Sequence, residues 1–241
     1  MKIQPNNEAA QSDLAQAYEK SGRDPLDVYK NRFDNNPDNV SYGLDYADKL
    51  IVADRPDDAI DVLQQVVDVD PSSKVAYRKL AQAYDSDDRL QDAAQTYERL
   101  FKLDPRDFRV AIKIADVYVE DQDFKSAFNW ADKAVTLSGE GEAYGTKANV
   151  YYRAFQACRS GEISVDDRVI ATLSHELFIQ AEEKGFTRYS RSKEWLKENE
   201  VLFGKAQWFM MDADVKNKGF IKASTPCYKC CLLYTSDAAD E

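Results

Sequence analysis

The sequence contains very little histidine, since His175 is the single one in a chain of 241 residues. Histidine is the side chain used most often in acid–base catalysis, and it is the commonest metal ligand. Its scarcity leaves few ways to assemble a catalytic site. We therefore expect no enzyme activity from these residues.

Long apolar runs and excess positive charge are also missing. No stretch of eighteen consecutive apolar residues occurs, whereas a membrane-spanning helix needs about twenty, so we expect no membrane insertion. The start, MKIQPNNEAA, lacks the basic and then apolar pattern of a signal peptide. With 43 acidic against 32 basic residues and a formal net charge of -11, the surface repels phosphate backbones. We exclude nucleic acid as a partner.

Three motifs resemble cofactor or metal sites, but each lacks an essential residue. His175 is followed by Glu176 without the second histidine of a His-Glu-x-x-His metal helix. GEGEAYG, Gly139 to Gly145, has the wrong glycine spacing for a dinucleotide loop, so we interpret it as a turn. DSDDRLQDAAQTYE has Leu90 where a calcium loop needs glycine. The sequence therefore predicts no cofactor and no metal ion.

A repeat becomes visible when four prolines are aligned. Pro5, Pro37, Pro71 and Pro105 stand 32, 34 and 34 residues apart, a period typical of stacked structural units. Each unit contains two apolar stripes at helical spacing that are separated by a polar turn, which predicts a pair of antiparallel helices. Small residues recur where these helices would cross, because only a methyl group permits close approach of the axes. These residues are Ala15, Ala47, Ala81 and Ala115 in the first helices and Ala59, Ala93 and Ala127 in the second.

The period, the recurring alanines and the terminal prolines resemble the tetratricopeptide repeat family. The resemblance implies an all-α fold, a right-handed superhelical solenoid of antiparallel helix hairpins. We predict an array over residues 1–186, with about four clear repeats and one irregular repeat. In the irregular repeat we expect helices near Ala143–Cys158 and Asp166–Lys184, and Gly139 stands where a further proline was due.

The resemblance also implies a binding groove lined by the first helices. An extended peptide would lie along their exposed side. Four basic residues there favour an acidic peptide or a free carboxylate terminus, although a solvated helical face with ordinary charge pairs explains the same residues. The candidate groove residues are Leu44, Asp48, Arg78, Lys79, Gln82, Arg109, Ile112, Lys113 and Asp116.

Residues 187–230 form a second predicted region, with a helix around Ser190–Leu202 followed by a less periodic aromatic stretch. Because a repeat array needs its terminal apolar face covered, we expect this region to cap the last hairpin. An exposed partner-binding patch is the alternative. The candidate capping residues are Trp195, Leu202, Phe203, Trp208, Phe209 and Met210.

Both ends of the chain suggest an incomplete protein. Residues 231–241, CLLYTSDAADE, are similar to a translated adapter from transposon-based sequencing libraries, so we predict that they are an artefact. Cys227 and Cys230 form only half of a Cys-x-x-Cys metal site, and we assign them no chemistry. MKIQP aligns with the end of a second helix, so we expect residues to be missing before Met1. The compartment stays open between the cytoplasm and the periplasm.

By this resemblance the chain is predicted to be a protein–protein interaction scaffold that holds a partner's peptide or helix in its groove. An alternative is a regulatory or targeting repeat region of a larger enzyme or of a secretion or envelope component. A third possibility is a structural spacer that binds no peptide.

Overall fold

The computed structural model describes residues 8–204, Gln207, and the short segments 220–222, 226–228 and 233–235. It divides into two compact units, residues 1–104 and 105–241. Within the described residues the protein is an all-α repeat fold of antiparallel helix hairpins, with one short strand pair. No described helix combines the length and the apolar character needed to cross a bilayer.

The described part of unit 1 forms three helix hairpins. The described first helix begins at Glu8, so Pro5 lies outside the described residues. Consecutive helices pack against each other from α1 to α6. The helices are α1 Glu8–Lys20, α2 Leu26–Asp34, α3 Val40–Val52, α4 Pro56–Val69, α5 Lys74–Ser86 and α6 Leu90–Leu103.

The described part of unit 2 forms two hairpins, a further helix and short segments near the end of the chain. The last hairpin, α9 with α10, also packs against α11 and against the 3-10 turn Pro226–Tyr228. The helices are α7 Phe108–Glu120, α8 Phe124–Ser138, α9 Gly141–Cys158, α10 Val165–Glu183 and α11 Ser190–Glu198. Strands β1 Phe220–Lys222 and β2 Leu233–Thr235 pair antiparallel.

Helix boundaries follow from local chemistry. Pro37, Pro71 and Pro105 come just after α2, α4 and α6, because proline has no amide hydrogen to continue a helix. Short polar side chains then cap the next helix, as where Asn39 Oδ1 accepts a hydrogen bond from the Tyr42 amide at 3.2 Å. Ser73, Asp107 and Asp123 cap α5, α7 and α8 in the same way.

The turns of the hairpins α3–α4, α5–α6 and α7–α8 share one backbone conformation. Asp54, Asp88 and Gln122 have φ values of 58°, 56° and 59°, in the left-handed region that commonly ends helices. In the α5–α6 turn the next residue donates back into the first helix, from Arg89 N to Tyr84 O at 2.9 Å. The hairpins α3–α4, α5–α6 and α7–α8 thus reverse direction through short turns, whereas α9 and α10 are joined by the longer connection 159–164.

Alanines lie at the predicted helix crossings. Ala47, Ala81 and Ala115 in the first helices, like Ala59, Ala93 and Ala127 in the second, have no exposed surface. Ala15, in the first hairpin, is only half-buried. Gly43 marks an even closer approach, since a Cβ there would lie 2.3 Å from Val66 Cγ2. Small side chains therefore set the spacing of the hairpins.

The irregular repeat has the two predicted helices, but its glycines serve a different purpose from the one we expected. Gly139, at φ 63°, ends α8, whereas Gly141 and Gly145 lie inside α9 rather than in a turn. A Cβ on Gly145 would come within 2.5 Å of the Phe186 ring. The glycines let the segment after α10 pack directly on the start of α9.

Helix α11 begins where the sequence predicted and ends earlier, at Glu198. Its Leu196 is fully buried in one apolar cluster with α9 and α10, against which Trp195, Leu202 and Phe203 pack as partly buried side chains. Trp208, Phe209 and Met210 lie outside the described residues. Strand β2 falls within residues 231–241, whose origin as an artefact remains a prediction.

Candidate functional site

The candidate groove residues lie on the first helices of three hairpins, and we treat the two units separately. We call the side of α3 and α5 that carries Leu44, Asp48, Arg78, Lys79 and Gln82 the unit 1 surface. Within each helix these residues are mostly three or four positions apart, so they share a face. Helix α7 carries the unit 2 candidates, Arg109, Ile112, Lys113 and Asp116.

On the unit 1 surface an ion pair joins two of the predicted residues. Lys79 Nζ donates to Asp48 Oδ1 at 2.5 Å, which links α5 to α3. Leu44 is half-buried, and Arg78 and Gln82 are exposed. The surface is therefore less positive than the sequence suggested, because a carboxylate of the same surface offsets one of its two cations.

This surface also carries exposed apolar residues that were not predicted from the sequence. Val52 is 85% exposed, Val75 is 55% exposed and Ile51 is 43% exposed. Their spacing could have identified them, because Ile51 and Val52 follow Leu44 by seven and eight positions and Val75 precedes Lys79 by four. The unit 1 surface thus combines aliphatic contacts with a mixed set of charges.

In unit 2 one candidate is not available for binding. Ile112 is only 5% exposed, because α7 packs against both α8 and α9 and the side chain is enclosed. The expectation that Ile112 offers an exposed apolar contact is wrong. Arg109 is 76% exposed and lies 3.7 Å from Glu142 of α9, Lys113 is exposed, and Asp116 is half-buried.

An aromatic segment after α10 lies close to the first helices of unit 2. Phe186 and Tyr189 contact each other, with ring centroids 6.0 Å apart, and both approach Gly145 of α9. Burial raises the pKa of the Tyr189 hydroxyl, and the negative charges of Asp116 and Glu142 raise it further. Tyr189 is therefore close enough to Asp116 for the carboxylate to influence its hydroxyl.

His175 lies on α10 and is half-buried. Burial lowers the pKa of its imidazole, and the charges of Lys193 and Lys197 lower it further, against an opposing effect of Glu182. Among the residues described, no group of three or more His, Cys, Asp or Glu side chains could hold a metal ion. The surroundings of His175 favour the neutral imidazole, as expected of a packed structural residue.

One cysteine pairing was not anticipated from the sequence. Cys158, at the end of α9, forms a disulfide with Cys227, 69 residues further along the chain. Cys230 and Cys231 lie outside the described residues. The large sequence separation explains the omission, because cysteine spacing alone cannot give connectivity.

A polar cleft opens at the turn between α2 and α3, lined by residues 35–41. Asn39 within it already caps α3, and Asn35 and Asn36 donate to carbonyl oxygens of α2. The three asparagines of this cleft thus serve the turn itself, and we do not treat it as a functional site.

Known proteins resemble this chain in sequence and in fold. Residues 44–107 and 81–142 match the tetratricopeptide repeat family. A crystal structure of MamA is 21% identical, with a TM-score of 0.55, and the match covers 71% of this chain and 94% of MamA. A second MamA crystal structure is 20% identical, with a TM-score of 0.56 and coverage of 76% and 93%.

More distantly, the thermophilic TPR protein TTC0263 of Thermus thermophilus is 14% identical, with a TM-score of 0.47 and coverage of 81% and 100%. No curated protein sequence matches the chain. At these identities the structural likeness concerns the fold alone.

Proposed function

The chain is a tetratricopeptide repeat protein over residues 44–142, and from that premise we propose that it holds a peptide or helix of a partner protein on the unit 1 surface. Helix-repeat folds present their first helices as an extended binding surface. The fold supports a protein–protein interaction scaffold. The placement of the ligand on the unit 1 surface and the chemistry of that ligand are our proposals.

The exposed aliphatic side chains carry this proposal. A single exposed valine is ordinary on a protein surface. In unit 1, however, the exposed large apolar residues of the described part are Ile51, Val52, Val69 and Val75, and only Val69 belongs to a second helix. Apolar exposure is therefore concentrated on the side where a ligand would lie, which is typical of an interaction surface.

The charges of the surface favour a ligand that carries a carboxylate. Arg78 is exposed, and its guanidinium can bind a carboxylate through two hydrogen bonds. Lys79 is already paired with Asp48, so we assign the carboxylate of the ligand to Arg78. We infer that the ligand is an acidic segment or a free carboxylate terminus, with an aliphatic residue against Val52 or Val75.

Peptide binding to the full chain tests this proposal. An array of acidic and neutral peptides identifies a binding sequence, and fluorescence polarisation then gives its dissociation constant. We expect a micromolar constant, about -8 kcal/mol. Arg78→Glu should weaken binding by about tenfold or more, because it opposes the ligand charge.

Arg99→Glu is the matched control, because Arg99 belongs to α6, a second helix, and so lies away from the first-helix surface. A peptide of the same sequence with amidated carboxylates should bind weakly to the wild-type protein. Its dissociation constant should equal that of the acidic peptide with the Arg78→Glu variant. If both charge reversals have equal effects, or if the array shows no preference for acidic peptides, the unit 1 surface is only a solvated helical face.

A further inference from the structure

Residues 226–228 are fastened to the last hairpin by contacts that the scaffold function does not require. Cys227 is bonded to Cys158 at the end of α9, with Cα atoms 5.9 Å apart. The next residue, Tyr228, has no exposed surface and belongs to the apolar cluster that contains Phe155, Ile170 and Leu196. A covalent bond and a buried aromatic ring thus hold this short segment.

Tyr228 also completes the start of α10. Asp167 Oδ2 accepts hydrogen bonds from the amide of Ser164 at 2.9 Å and from its hydroxyl at 2.7 Å. The other oxygen, Oδ1, accepts from the Tyr228 hydroxyl at 2.5 Å. Asp167 is itself buried, and a buried carboxylate oxygen is costly without a donor. The tyrosine therefore supplies a polar contact as well as an apolar one.

We propose that the Cys158–Cys227 disulfide is a redox-sensitive latch that holds Pro226–Tyr228 on the α9–α10 hairpin. In the oxidised state the bond keeps Tyr228 next to its site at high effective concentration. When the bond is broken, only non-covalent contacts hold the tyrosine, and the segment exchanges between bound and free positions. The inference does not depend on peptide binding to the unit 1 surface.

The disulfide can be reduced because one of its cysteines is exposed. Cys227 is exposed and Cys158 is half-buried, so an incoming thiolate reaches the sulfur of Cys227. The reductant we name is a dithiol. Its first thiolate forms a mixed disulfide with Cys227 and displaces Cys158 as a thiolate, which takes up a proton. Its second thiol then loses its proton and attacks the mixed disulfide, so that Cys227 leaves as a thiolate, takes up a proton, and the dithiol becomes a disulfide.

The test uses the full 241-residue chain, purified without reductant and then treated with dithiothreitol. Peptide mapping without reduction should recover a cross-linked peptide that contains Cys158 and Cys227. Hydrogen exchange should then compare the oxidised and reduced protein over residues 164–170. We expect exchange there to be about tenfold faster after reduction, because the Tyr228 contact opens, while residues 74–103 in unit 1 remain unchanged.

Three variants separate the latch from general destabilisation. Cys227→Ser should give the reduced exchange pattern without any reductant, whereas Cys230→Ser, outside the described bond, should keep the oxidised pattern. Tyr228→Phe should keep the bond and still speed exchange at the start of α10, since Asp167 loses a donor. Circular dichroism of the reduced wild type checks that the helices persist.

Absence of the cross-linked peptide would overturn the proposal, as would equal exchange at residues 164–170 in the oxidised and reduced wild type. Loss of helix throughout the chain on reduction would also overturn it, because the bond would then be a general structural support.

Discussion

The two units stabilise their hairpins in different ways. In unit 1 ion pairs join residues about one repeat apart, as in Lys79 with Asp48 and Lys74 with Asp104, separated by 31 and 30 residues. In unit 2 the last hairpin is held by Tyr228 and Cys227, separated from their partners by 61 and 69 residues. Contacts between neighbouring repeats therefore stabilise unit 1, whereas contacts with a segment outside the repeats stabilise the last hairpin.

Close packing shows the same contrast. Gly43 in unit 1 makes room for Val66 and Phe33, which belong to the second helices on either side of α3. Gly141 and Gly145 in unit 2 make room for the end of α10 and for Phe186, which follows it. In both units a first helix lacks a side chain, and the space is filled by second helices in unit 1 and by the end of α10 with the segment after it in unit 2.

The largest expected effect concerns the cover of the last hairpin. Leu196→Ala should lower the free energy of unfolding by about 2–5 kcal/mol, because Leu196 is fully buried and its truncation leaves a cavity. Urea denaturation followed by circular dichroism measures the change. Leu137→Ala is the control, since Leu137 is 39% exposed and should cost much less. Equal losses would mean that α11 does not stabilise the hairpin.

A smaller effect is expected at a helix crossing in unit 1. Ala81→Leu should cost about 1–3 kcal/mol of stability, because Ala81 has no exposed surface and the added atoms overfill the crossing. Lys79→Gln, two positions earlier, should cost at most about 1 kcal/mol, since it removes only a partly exposed ion pair. Denaturant midpoints of the two variants check this. Similar midpoints would contradict the assignment of faces on α5.

The smallest expected effect is a dependence on pH that is confined to unit 2. Burial and two lysines hold the pKa of His175 below its ordinary value of 6.5 in the folded chain. The unfolded chain therefore binds a proton first as the pH falls. The stability that comes from the neutral imidazole is fully present above the unfolded pKa and is lost as the pH falls through the folded pKa.

The carboxyl of Glu182 also makes the stability of the folded chain fall as the pH falls, but it does so at lower pH. Hydrogen bonds from Lys193 and Ser190 lower the pKa of its carboxyl below the ordinary value of 4.5, so its contribution is lost only at more acidic pH. Among the described groups with a shifted pKa, His175 is the one whose ordinary pKa lies between about pH 5 and about pH 7.5. Wild type should therefore lose stability in this range, as measured by urea midpoints, and His175→Gln should lose less. An equal slope in both proteins would contradict the assignment.

The repeated features of the molecule could be predicted from the sequence, because each depends on residues that are close in the chain. Proline spacing and alanine positions locate the hairpins, and the helices of the irregular repeat fall close to Ala143–Cys158 and Asp166–Lys184. The tetratricopeptide repeat resemblance is confirmed by the family match and, for the fold, by the structural likeness.

The candidate site was less predictable, since exposure depends on tertiary packing. Helical spacing placed Asp48 and Lys79 on neighbouring faces, but it could not show that they pair with each other. It could not distinguish Ile112, which is buried, from Val52, which is exposed. The link from Cys158 to Cys227 was beyond reach for another reason, because no periodic pattern relates a repeat to a segment outside it.

The hydrogen bond between Tyr228 and Asp167 has a consequence for the order in which the protein forms during synthesis. Chains emerge from the ribosome starting at their amino end, and domains fold as they appear. The hairpins of unit 1 have their partners within one repeat, so each can pack as soon as the next has emerged. Asp167 Oδ1, at the start of α10, gains its tyrosine donor only after a residue made 61 positions later has emerged.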